Sequence, residues 1–223
     1  MKFALITEGI SEHRIIRHIL EKFFKDKVPF IRQIQPQIFN EKQISIGSWN
    51  EVLKYCGRTD DLKEIFNNND YLIIQIDTDK SQTKPFSISH SKIDNTLKSV
   101  DELCNEVIVK LKSIISLEII KEHGNKIFFA ICVHSIECWL LPLLYTNNLK
   151  SKTHGCIDTL NTELIKKNIH IIPNGNKNNH NAIRTYETIL KIWKRKQDII
   201  ESSKHNEGFK KFINSLKTID LTK

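Results

Sequence analysis

Acidic residues at the ends of apolar runs are where this chain can do chemistry. The sharpest case is Tyr71 to Lys80, YLIIQIDTDK, in which the run empties straight into Asp77 and Asp79. The run is short, rich in β-branched and aromatic residues, and preceded by the turn-forming Asn67, Asn68, Asn69 and Asp70, which predicts a buried strand rather than a helix. Side chains two apart on an extended chain share a side, so both carboxylates point together. In a parallel α/β sheet, ligands sit at the carboxyl ends of the strands. Carboxylates this close repel, and a hard divalent cation with oxygen ligands compensates them. Taken alone, the common DxD pattern more often describes a polar strand exit whose aspartates cap the next loop.

Two more acids occupy comparable places. Lys2 to Thr7 is a short apolar run ending at Glu8-Gly9, followed by Ser11 as a candidate N-cap and by Ile15, Ile16, Ile19, Leu20, Phe23 and Phe24 at helical spacing. Glu12 follows Glu8 by four residues, on the same side if the helix begins between them. Lys126 to Val133, KIFFAICV, predicts a third buried strand, closed by His134 and Ser135. The apolar helix expected over Ile136 to Tyr145 then carries one acid, Glu137, which needs a partner, a metal or an outward turn. His13, His90, His134 and His180 are candidate acids or bases.

These residues need a scaffold. Val28 to Phe39, with Pro29 and Pro36, predicts an irregular or edge strand, and Trp49 to Phe66 a helix broken near Gly57 or two short ones. Ser81 to His90 reads as a loop beside the acids, and Lys92 to Glu122 as a crossover helix. After Thr146 the rhythm changes to a helix near Asp158 to Asn168, an Asn-rich loop from Asn174 to Asn181, and basic helices over Ala182 to Ser202 and Glu207 to Lys217. The expected organisation is an α/β core over residues 1–146, with a mostly parallel sheet flanked by helices, and a helical basic C-terminal lobe over 147–223 packed on it.

Charge supports that division. Residues 1–163 hold 21 Lys or Arg and 21 Asp or Glu, whereas residues 164–223 hold 13 and 5, so the net +8 sits entirely in the last stretch. A basic segment on a neutral body suits a polyanion-binding lobe, and equally a solvated lysine-rich surface. No apolar run approaches a membrane span, and no signal-peptide layout precedes the first strand, so a cytoplasmic, non-membrane protein is expected. Five cysteines without a CxxC pair predict reduced thiols, with Cys132, His134 and Cys138 as a weak zinc alternative. Asn176 to Asn179 lacks P-loop or dinucleotide spacing, which argues against ATP hydrolysis.

Glu-Gly after a first strand, a helix, and a later strand ending in DxD together resemble the TOPRIM domain of topoisomerases, primases and OLD-type nucleases. ITEGISE is similar to that superfamily's EGxTE turn, with Ser11 where threonine is usual, and IIQIDTD to its DxD strand. HSIECWLL further resembles a segment of small stand-alone TOPRIM-like proteins of bacterial phage-defence loci. The likeness covers about residues 2–145. It implies a Rossmann-like TOPRIM sheet, catalytic Glu8, Asp77, Asp79 and Glu137, and Mg²⁺ or Mn²⁺ on Glu8, Glu12, Asp77 and Asp79. The implied activity is metal-dependent hydrolysis of DNA or RNA in antiviral defence, beside a partner ATPase. Arg14, Lys80, Lys84, Lys177 and Arg184 are candidate nucleic-acid contacts, with Arg17 and His18 beside Arg14. An uncovered face on the Ile136 to Tyr145 helix would offer a homodimer interface. The rival expectation is a TOPRIM-like subunit that binds nucleic acid or an ATPase and cuts nothing.

Overall fold

A computed structural model describes residues 1–40 and 42–220, the last three residues of the basic extension lying outside it. β1 (Lys2–Ile6) leads through α1 (Ile10–Phe23) to β2 (Phe30–Gln35). A two-stranded ribbon, β3 (Ile38–Phe39) and β4 (Lys42–Gln43), precedes α2 (Trp49–Cys56) and α3 (Thr59–Asn68). β5 (Tyr71–Asp77) then crosses over through α4 (Val100–Ile114) and α5 (Leu117–His123) to β6 (Ile127–Cys132). The four long strands form one parallel sheet in the order β2-β1-β5-β6. The chain builds β2 on one side of β1 and then places β5 on the other, so the carboxyl ends of β1 and β5 flank a topological switch point. That is where open α/β sheets bind ligands.

Alternation along the strands sorts the core into two layers. Phe3, Leu5, Ile73, Phe128 and Ala130 face a cluster built with α1, whereas Ala4, Ile6, Leu72, Ile74 and Ile131 face α2 to α5. The C-terminal helices belong to the first layer. α6 (Cys156–Lys166), α7 (His180–Leu190), α8 (Lys196–Ser203) and α9 (Glu207–Leu216) bring Leu160, Tyr186, Ile189, Ile199, Phe209 and Phe212 into the same cluster as β1. Trp139 stacks on Phe209 at 4.6 Å between ring centroids. α9 also covers the sheet's β6 edge, where a Cβ on Gly208 would lie 2.7 Å from the Ile131 carbonyl oxygen.

Three local expectations are corrected. Ile136 to Tyr145 is not an α-helix: it forms two 3-10 turns, Ile136–Trp139 and Leu141–Leu143, because Pro142 lacks the N–H a helix interior needs. Its Ile136, Trp139, Leu140 and Leu141 are buried, so they offer no apolar helix face to a second copy. Gly9 rather than Ser11 is the N-cap of α1, and Ser11 lies within the first turn. Finally, Cys138 and Cys156 form a disulfide, because the first 3-10 turn and the start of α6 meet with 5.1 Å between Cα atoms, inside the bonding range. Counting cysteines along a chain cannot show such a meeting. Cys56, Cys104 and Cys132 remain buried thiols, and the Cys132, His134, Cys138 zinc alternative is lost with Cys138.

Candidate active site

Backbone geometry at the switch point places the acids. Glu8 follows β1, and its Oε1 accepts from the Asp77 backbone N–H at the end of β5 (2.7 Å). Gln75, fully buried and two residues before Asp77, ties the strand ends together: its Oε1 accepts from the Glu8 N–H (3.1 Å), and its Nε2 donates to Asp77 Oδ1 (2.9 Å). The Ile136 N–H also donates to Asp77 Oδ1 (3.1 Å), which fixes the 136–139 turn over the site. Beyond β5 the pairing with the β6 side continues: the Asp79 N–H donates to the His134 carbonyl (3.1 Å) and the His134 N–H to Thr78 Oγ1 (2.8 Å).

Three carboxylates converge on a lysine. Lys177, from the Asn-rich loop before α7, places Nζ 3.3 Å from Glu12 Oε1, 3.3 Å from Asp77 Oδ2 and 3.2 Å from Glu137 Oε1. The Tyr186 hydroxyl on α7 donates to Glu137 Oε1 (2.5 Å). Ser11 secures the loop, its Oγ donating to the Lys177 carbonyl (2.7 Å) and its N–H to Asn178 Oδ1 (3.3 Å). Glu137 therefore has the partner that its apolar surround requires.

Electrostatics separates these groups. Burial opposes charge on Glu137, but Lys177 and the Tyr186 hydroxyl hold its carboxyl below the usual range. Burial also opposes the Lys177 charge, and Glu137, Asp77 and Glu12 outweigh it, keeping the ammonium firmly protonated. Asp77 is pushed well above the ordinary carboxylate range by burial, against the pull of Lys177 and with Glu8 and Glu12 adding repulsion. Glu8 is pushed up to about 8, by burial first and the Glu12 charge second. One ammonium thus serves a cluster of five acids, counting Asp79, whose charge also bears on Glu8.

This donor set is all oxygen and, with its carboxyls ionised, would carry more negative charge than Lys177 balances. That is the chemistry a hard divalent cation fits. Glu8 Oε2 and both oxygens of the exposed Asp79 have no hydrogen bond among the described residues. As the side chains stand, no three His, Cys, Asp or Glu converge on a common ion-binding point among the described residues. The convergence that exists is on Lys177.

No family model, curated protein or solved structure matches this chain.

The other candidates disperse. Lys80 and Lys84 are exposed in the turns after β5, and Arg184 is exposed on α7. Arg14 pairs with Glu187 (2.6 Å) and, with His13, Arg17 and His18, lines a cavity of about 430 Å³ that none of the five acids borders. Burial and the neighbouring Arg17 and Arg14 depress His13 to about 3, so it stays neutral at ordinary pH. His180 is exposed at the start of α7.

Gln75 and Tyr186 were not among the expected site residues, and Lys177, expected as a nucleic-acid contact, sits instead among the acids. Gln75 left a signal, as the one polar residue inside YLIIQID, two before Asp77 and so on its face. Tyr186 and Lys177 left none: they reach the acids from a loop and helix roughly a hundred residues beyond Asp77.

Proposed function

We propose that this chain is a metal-dependent phosphodiesterase of TOPRIM type that cuts DNA or RNA, using Mg²⁺ or Mn²⁺ held by Glu8, Asp77 and Asp79 with Glu12 beside them. The gathering of Glu8, Glu12, Asp77, Asp79 and Glu137 at the switch point of the parallel sheet carries this reading. Burying like-charged groups is costly, and a chain that buries Glu12, Asp77 and Glu137 beside Glu8 and Asp79, where α/β proteins bind ligands, has a use for the negative potential.

The cation would supply charge stabilisation at the phosphate and acidify a bound water. Everything else falls to the chain. Gln75 and the Asp77 N–H hold the Glu8 carboxyl in place through the Glu8 N–H and Oε1, which leaves Oε2, once ionised beside a bound cation, to take a proton from the attacking water. Lys177, kept cationic by Glu137, cancels part of the repulsion that an incoming phosphate meets. Tyr186 fixes Glu137, and so fixes where the ammonium sits. Lys80, Lys84 and Arg184 are exposed cations that can hold the rest of the polyanion. A role in antiviral defence, with a partner ATPase, belongs to the same proposal and rests on the sequence resemblance.

Purified protein incubated with labelled plasmid, single-stranded DNA and total tRNA, with Mg²⁺ or Mn²⁺ and with chelator, tests the reading. Cleavage that requires the metal and disappears in Glu8→Gln and Asp77→Asn is expected. Metal-independent cleavage, or cleavage that survives both substitutions, would refute it. Tight polyanion binding without any cleavage would favour the binding-subunit alternative, for which the Lys177 ammonium among the acids is the supporting observation.

A further inference from the structure

Beside the acids lies a second cluster, of a different chemistry. His134, His90 and His154 pack ring against ring, with centroids 4.8 Å apart for His90 and His134 and 4.5 Å for His134 and His154. His134 Nδ1 faces His154 Nδ1 at 3.4 Å. That is long for a good N–H···N hydrogen bond. It is the separation expected of two ligands on one tetrahedral ion, since metal–nitrogen bonds of about 2.05 Å put adjacent ligand atoms about 3.3 Å apart.

We infer that His134 and His154 form a transition-metal site, binding Zn²⁺, Ni²⁺ or Cu²⁺ through their two Nδ1 atoms with solvent completing the shell. Neutral imidazole nitrogens select this class of ion over Mg²⁺, which prefers the carboxylates nearby. With the proton of each neutral ring on Nε2, both Nδ1 lone pairs are left for the ion. The surroundings hold the first ring ready. His134 sits in the left-handed region at φ +60°, a conformation seldom kept without a local reason, and its backbone N–H and carbonyl are both engaged by the residues after β5. His90 braces it from the other side, its Nε2 placed by the Thr78 carbonyl (2.8 Å) and Ser81 Oγ (3.0 Å). His154 is exposed and gives the ion its route from solvent. His134 backs directly onto Asp79, so the site sits on the rim of the acid cluster without sharing its ligands.

Calorimetric titration of the full chain with Zn²⁺, repeated with Ni²⁺, in excess Mg²⁺ to occupy the carboxylates and without any nucleic acid, tests this independently of cleavage. One equivalent is expected, weakened by about tenfold or more in His154→Ala, whose exposed side chain is not needed for folding, and likewise in His134→Asn, which tolerates the left-handed backbone. Cu²⁺ bound to the wild type should show two nitrogen ligands by electron paramagnetic resonance, and one in His154→Ala. Equal Zn²⁺ affinity in wild type and His154→Ala, or Zn²⁺ displaced by Mg²⁺, would overturn the assignment. A protein that binds Zn²⁺ in this way but cuts nothing would leave the site standing and refute only the nuclease reading.

Discussion

Lys177 decides the electrostatics of the site. Its side chain is 24% exposed, and it is the ion-pair partner of Glu12, Asp77 and Glu137. Lys177→Met strands a fully buried Glu137 and should cost about 3 kcal/mol, seen as a lower denaturation midpoint at unchanged m-value. Tyr186→Phe removes one donor from the same carboxylate and should cost about 1 kcal/mol. Glu8 predicts a pH dependence. Its folded pKa of about 8 lies above its ordinary 4.5, so between those values the folded state holds the proton more tightly than the unfolded chain. Without divalent metal, its contribution therefore makes stability fall as pH rises from 4.5 to about 8 and level off above. Glu8→Gln should flatten that slope in thermal unfolding series run in chelator; an unchanged slope would assign it to other groups. The acids themselves were legible in the sequence, because Glu8, Asp77, Asp79 and Glu137 each come just after a strand-like run and Glu12 lies four residues beyond Glu8. Their cation was not, since nothing local distinguishes Lys177 from the other lysines of a basic tail.

At the scale of elements, close backbone approaches set the geometry. A Cβ on Gly47, in the loop between β4 and α2, would collide with the Glu8 carbonyl oxygen and lie 2.8 Å from Gln43 Nε2. Gly47→Ala should therefore shift Glu8 and depress cleavage more than stability, measured as kcat against the unfolding midpoint. Gly208→Ala drives α9 off the β6 edge and should do the reverse, costing about 1–3 kcal/mol while sparing the acids. Strand and helix periodicities made β1, β5, β6, α1 and the α2–α3 break readable. The 136–145 segment was misread because its apolar composition suits any buried structure, and Pro142 with the Asp77 contact selects tight turns.

Across the whole molecule, the basic C-terminal helices and the sheet share one hydrophobic cluster, in which Trp139, Phe209 and Phe212 stack. The Cys138–Cys156 disulfide ties the Glu137 turn to α6 across a separation of 18 residues. Its reduction should cost about 3 kcal/mol by releasing that loop in the unfolded state, checked by denaturation with and without a thiol reductant. The parallel α/β class was legible because strands and helices alternate along the chain. The packing of the tail around the site was not, because long-range contacts leave no period in a sequence.

The acids at the switch point are proposed to hold a metal for phosphodiester cleavage. Asp79 tests it most cleanly, since its side chain is exposed and carries no hydrogen bond among the described residues, so Asp79→Asn leaves the fold alone. The measurement is the Mg²⁺-dependent cleavage rate of Asp79→Asn and wild type, with thermal unfolding of both. A rate reduced by about a hundredfold or more at an unchanged unfolding temperature is expected. Equal rates in the two proteins would contradict it.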